Sequence, residues 1–252
     1  MQKIHRIYTV LRTFYGPQSW WPAKTSFEVV VGAYLTQNTS WSNVERALGS
    51  LRRAGKLSVE GMSSLSVGKL GQLIRSSGYF RQKSRSLKAF LAYLDARHAG
   101  SLRRMFARHR TTPAALLGLR EELLELHGIG RETTDSILLY AGNLPIFVVD
   151  AYTRRILVRH SIISEDVSYE AIRKLVEKAL GPRHGSEKPF RTRPAAVIRS
   201  DLVRHFNEMH ALLVRVGKDY CYKSDPNCEA CPLRKLLPGQ LLQKHSGKDH
   251  SG

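Results

Sequence analysis

Cysteine, acidic residues and long apolar runs are all scarce in this chain. Three Cys occur, all between Cys221 and Cys231. They cannot build a disulfide framework, and so tight a cluster in a reducing compartment points to metal before redox chemistry. The most hydrophobic stretch, FEVVVGAYL from Phe27 to Leu35, falls far short of the roughly 20 residues a bilayer demands. The N-terminus, MQKIHRIYTVLRTFYG, mixes basic and apolar residues without a continuous apolar region or a small-residue cleavage site. It is therefore not read as a secretory signal, and the expected location is the cytoplasm, beside the nucleoid. The acid deficit is large: 21 Asp and Glu against 40 Lys and Arg leave a net charge of +19, and 10 His add to it below neutrality. A phosphate-rich partner answers such a charge, whereas an anionic membrane would call for a basic amphipathic helix or a long apolar run.

What is present suffices for a core. Of the 252 residues, 42% are hydrophobic and 24% charged, which excludes global disorder and allows one large domain or two small ones. Apolar residues recur at spacings of three and four while strand-like alternation is rare, so the chain is predicted to be all-α. One predicted helix carries Leu119, Leu123 and Leu126 behind a Thr112 cap with Pro113 at its first position. Another carries Tyr169, Ile172, Val176 and Ala179 between Ser168 and Gly181. A third has the stripe Leu202, Phe206, Met209, Leu213 and Val216, predicted to end at Gly217. Breaks are expected at Tyr15 to Thr25, near Gly100 and Ser101, at Gly128 to Gly130, at Gly142 to Pro145, and across the basic loop from Gly181 to Pro194. The tail after Pro238 cannot pack a core. No internal repeat or long low-complexity tract is present.

The most specific segment is LLELHGIGRETTDSILLYAGNLPIFVVDAYTRRI, in which an apolar helix meets Gly128-Ile129-Gly130 and a second helix starts at once. Two Gly around one apolar residue make a tight hairpin. Its backbone amides can approach a phosphate closely, with the following helix dipole and Arg131 favouring the anion. A plain packing corner is the competing interpretation of the Gly pair alone. Asp150 fits the N-cap of a helix over Ala151 to His160.

LHGIGRETTDSILLY followed by VVDAYTRRI resembles the helix-hairpin-helix DNA glycosylases of the endonuclease III superfamily. The likeness extends to GAYLTQNTSW and to HALLVRVGKDYC with its Cys cluster, over roughly residues 17 to 237. Within the superfamily, WWPAKTSFEVVVGAYLTQNTSW and SSGYFRQKSRSL are most similar to the 3-methyladenine branch. The resemblance implies two helical domains with a cleft between them: a six-helix barrel at 28–141, and a second domain of 1–27 plus 142–237, followed by a basic tail at 238–252.

The resemblance also assigns roles. Asp150 would face the deoxyribose of a flipped-out nucleotide, stabilising positive charge on the sugar and orienting or deprotonating water. Glu132 stands where bifunctional members carry a Lys that attacks the sugar. A carboxylate cannot form an imine, so a monofunctional enzyme is implied, with Glu132 also suited to complement the helix dipole. Lys218 is a candidate substrate contact. Gln37 would fill the gap left by the extruded base, and Gly128, Gly130 and Arg131 would hold DNA. Trp20, Trp21, Pro22 and Trp41 are candidates for stacking on a cationic alkylpurine, with Pro22 pushing Trp21 to an extended conformation. Cys221, Cys228 and Cys231 match three ligands of a [4Fe-4S] loop, but Leu237 replaces the fourth Cys. Zinc with His245 or His250, or a metal-free loop, are the alternatives.

The expected function is that of a monomeric monofunctional glycosylase removing alkylated purines, 3-methyladenine above all, from duplex DNA. Alternatives are a mismatched adenine, thymine or uracil, an oxidised pyrimidine, or a helix-hairpin-helix DNA-binding protein without catalysis.

Overall fold

The structure, a computed structural model, describes residues 1–18, 23–109, 112–181 and 195–239, with the side chains of 195–199 excepted. Among the described residues there are helices and no strand. The chain divides into two compact units, Met1–Trp20 with Pro145–Gly252, and Trp21–Leu144.

The unit Trp21–Leu144 contains α2 (Ser26–Leu35), α3 (Trp41–Arg53), α4 (Val59–Ser63), α5 (Val67–Leu73), α6 (Phe80–His98), α7 (Leu102–Arg108), α8 (Pro113–Leu124) and α9 (Arg131–Ser136). A π-helical turn, Ile137–Ala141, continues α9. The Val-rich run of α2 has strand propensity, yet it is buried from Phe27 to Leu35 as a helix. Its start explains why. Thr25 Oγ1 accepts from the Glu28 amide (3.1 Å) while Glu28 Oε2 accepts from the Lys24 amide (3.2 Å), a reciprocal cap that commits the segment to helix. A helix apolar on every side belongs at the centre of a bundle, and α2 packs against α3, α6 and the π turn. Buried Glu28 is matched by the Arg52 guanidinium of α3.

The other unit is built from α1 (Gln2–Tyr15), α10 (Ala151–Arg159), α11 (Tyr169–Leu180) and α12 (Ala195–Asp219). The buried segment 145–149 leads into α10 without regular structure. Two of its amides are answered by α11: Phe147 N donates to Glu177 Oε1 (2.9 Å) and Val149 N to the Tyr169 hydroxyl (3.2 Å). Thr112 and Ser168 cap α8 and α11 as the sequence predicts, accepting from Ala115 N and Ala171 N.

Gly217 differs from its expected role. The helix runs on to Asp219, and Gly217 is instead a site of close approach, where an added Cβ would strike the Tyr152 ring of α10. Among the described residues no helix is long and apolar enough to cross a membrane. The basic loop with Arg191 and Arg193, and the tail with His245 and His250, lie outside the described residues.

Candidate functional site

In the unit Trp21–Leu144, α8 and α9 are joined through Gly128-Ile129-Gly130. Gly128 has φ +77°, open to glycine at little cost, and a Cβ there would run into the Ser86 hydroxyl of α6. Ile129 is buried and anchors the turn, while Gly130 is the N-cap of α9 with no side-chain cap of its own. Arg131 and Glu132 are exposed at the first two positions of α9. The hairpin is clamped from within: Arg120 of α8 donates to both oxygens of Asp135 of α9, at 2.6 and 3.1 Å, and both side chains are buried. Paired charges at such depth fix the register of two helices.

Gln37 lies just beyond α2, and its Nε2 donates to the Gly128 carbonyl (3.2 Å) and to Thr133 Oγ1 (3.0 Å). The structure thus brings Gln37 and the hairpin together, with the amide engaged by protein groups. The neighbouring Asn38 is exposed with φ +50°. Beneath this loop sits a group the sequence concealed. Lys83 of α6 is buried, and its Nζ donates to the carbonyls of Leu35 (2.9 Å) and Ser77 (2.6 Å). Burial lowers its pKa to about 8. That ammonium ties the end of α2 to the turn carrying Gly78 and Tyr79, whose ring is an exposed large hydrophobic group at a left-handed position. Trp41 opens α3, with Nε1 donating to Glu45 Oε1 (2.9 Å). Trp20, Trp21 and Pro22 lie outside the described residues.

In the other unit, Asp150 is the N-cap of α10, its Oδ1 accepting from Thr153 N at 2.7 Å. Its Oδ2 lies 3.6 Å from His210 Nε2 of α12, with the two side chains only 11% and 7% exposed. Burial by itself would push this carboxyl up. The His210 side chain and the Thr153 amide outweigh it and hold the group below the ordinary carboxylate value. Lys218 is exposed on α12, next to the Gly217 contact with Tyr152. Sequence reasoning missed His210, although a His set beside Met209 in an apolar stripe was a readable sign of a buried imidazole.

Cys221, Cys228, Cys231 and Leu237 line one cavity of about 10 Å³, no larger than a single water needs. Arg159 Nη1 stands 3.0 Å from Cys221 Sγ, and Arg155 Nε donates to the Cys221 carbonyl at 2.6 Å. These residues do not fit a four-thiolate cluster. There are three sulfurs, and the fourth position offers an apolar side chain. Among the described residues no group of three or more His, Cys, Asp or Glu is placed to hold a metal ion.

The family model described as HhH-GPD superfamily base excision DNA repair protein matches residues 31–182, which include the second half of α2, the hairpin and Asp150. The chain belongs to the HhH-GPD superfamily of base excision DNA repair proteins. Among HhH-GPD relatives, a Methanocaldococcus jannaschii protein provisionally named a DNA repair glycosylase is 38% identical, over 93% of this chain and 96% of its own. The endonuclease III of Thermotoga maritima is 26% identical over 82% of this chain and 80% of its own. The fold is similar to that of a trapped endonuclease III–DNA covalent intermediate, with a TM-score of 0.72, 19% identity and coverage of 96% of this chain and 98% of that one. It is also similar to the H. pylori 3-methyladenine DNA glycosylase bound to 1,N6-ethenoadenine, with a TM-score of 0.65, 24% identity and coverage of 86% and 97%.

Proposed function

We propose that the chain is a monofunctional DNA glycosylase that hydrolyses the N-glycosidic bond of a flipped-out alkylated purine, 3-methyladenine above all. The observation that carries this reading is the Asp150 carboxylate, only 11% exposed and fixed at a helix N-cap in an HhH-GPD chain.

In this reading the flipped nucleotide presents its sugar to Asp150. As the C1′–N bond breaks, its electron pair leaves with the base and positive charge develops on the sugar, which the fixed carboxylate stabilises. Water then forms the new C1′–O bond and gives up a proton, with Asp150 orienting it as general base. A purine methylated at a ring nitrogen carries positive charge and departs as a neutral base, so no general acid is needed on the leaving group. Glu132 supplies no amine, which leaves water as the nucleophile. Gly128, Gly130 and Arg131 hold phosphate, and Gln37 exchanges its bonds to Gly128 and Thr133 for the orphaned partner base. Trp20, Trp21, Pro22 and Trp41 remain the candidates for stacking on the cationic base, and Lys218 a candidate substrate contact.

The test is a screen of free-base release from a panel of duplexes. Methylated duplex should release 3-methyladenine faster than duplexes with an oxidised pyrimidine, uracil or a mismatched adenine or thymine release theirs. Preferential release from one of the latter would reassign the lesion, and duplex binding without any release would mark a DNA-binding protein that has lost catalysis.

A further inference from the structure

Asp150 spends one oxygen on the helix cap and shows the other to His210, the first residue of HALLVRVGKDYC, to which the sequence assigned no role. We propose that His210 is the positioning residue for Asp150, orienting the oxygen that the cap leaves over and holding the carboxylate in its anionic form. The proposal deepens, and rests on, the reading of Asp150 as the catalytic carboxylate.

The geometry supports a dedicated pair. Oδ1 is committed to Thr153 N at 2.7 Å, and Oδ2 faces His210 Nε2 at 3.6 Å. That separation is within ion-pair range and slightly beyond a hydrogen bond, so a small turn of the ring closes it. The ring is set by its neighbours: Phe147 meets it edge-on, with centroids 6.3 Å apart and planes at 81°, and α10 packs on α12. The Nε2–H tautomer and the imidazolium both aim the positive end of an N–H bond at Oδ2. In a site this buried, one such N–H favours the charged form of a carboxyl.

Among the described residues, the polar and charged groups on the elements packed about this segment are these. From α10 come the Thr153 amide and side chain. From α11 the Tyr169 hydroxyl accepts from Val149 N, and Glu177 accepts from Phe147 N while paired with Arg173 at 2.7 Å. α12 supplies His210. Burial, the largest influence on Asp150, raises its pKa, and His210 is the first of the opposing causes. Removing the imidazole therefore leaves burial opposed by the cap alone, and the carboxyl titrates at higher pH. A protonated Asp150 offers the sugar no negative charge, so the loss of activity is deepest in acid and recovers as pH rises.

The test uses the full chain with His210→Phe, which keeps ring volume without a donor, and His210→Gln, which keeps a donor. His210→Asn, too short to reach, serves if the Phe variant does not fold. The Asp150 carboxyl is titrated by ¹³C NMR and assigned by its disappearance in Asp150→Asn. Its midpoint should lie below the ordinary carboxylate value of 3.8 in wild type, and it should rise less in His210→Gln than in His210→Phe or His210→Asn, where the rise is clear. The acid limb of base release from methylated duplex should move upward in the same two variants, with recovery at higher pH. An Asp150 titration in His210→Phe or His210→Asn that matches wild type would overturn the proposal. Turnover retained by Asp150→Asn would instead overturn the catalytic reading, while the NMR titration still decides the role of His210.

Discussion

Asp150→Asn is expected to lower single-turnover base release by about 10²–10⁴-fold while leaving duplex affinity and melting temperature close to wild type. The rate loss has the size associated with removing a positioned general base and its charge. Stability should survive because Asn caps a helix about as well as Asp, and the bond from Thr153 N to the side-chain oxygen at 2.7 Å can be kept. The isosteric change thus separates the two duties of the residue, capping and catalysis. Full activity in a normally folded Asp150→Asn protein would show that the carboxylate only caps α10.

The second large effect concerns stability. Arg120→Met should cost about 3–5 kcal/mol of unfolding free energy, because it strands the fully buried Asp135 carboxylate without its guanidinium. The pair joins the two helices of the hairpin, so the damage falls on the Gly128-Ile129-Gly130 turn. Adding Asp135→Leu to Arg120→Met should recover most of the loss, since a buried ion pair replaced by apolar groups is often neutral. Denaturant melts of the single and double variants measure this. A single variant within about 1 kcal/mol of wild type would mean that water reaches Asp135 and the clamp is weak.

Local features of the fold were legible because their causes are local. Thr112, Ser168 and Asp150 each accept from an amide three residues on, so a cap can be read from a short window. The hairpin was legible for the same reason, since Gly128 answers to its own φ and a close neighbour. Gly217 was misread because a glycine that ends a helix and one that admits a ring look alike until Tyr152 is placed against it. Buried charges were the hardest to see. No role was assigned from sequence to Lys83, Glu28, Arg120 or Asp135, and each is explained by a partner on another element. The same holds at the candidate site. Gln37 was singled out in the sequence, yet its bonds to Gly128 and Thr133 depend on chain brought back from about ninety residues away. His210 acquires meaning only when α12 lies beside α10.

The central claim is hydrolysis by water in a chain whose hairpin carries Glu132 in place of an amine. Its most direct test is incubation of wild-type protein with methylated duplex, with the strand analysed before and after alkali and in the presence of borohydride. Free alkylpurine, a strand left intact until alkali is added, and no trapped covalent complex are the predicted results. A strand cut without alkali, together with efficient borohydride trapping of protein on DNA, would contradict the account by showing that a lysine elsewhere in the chain attacks the sugar.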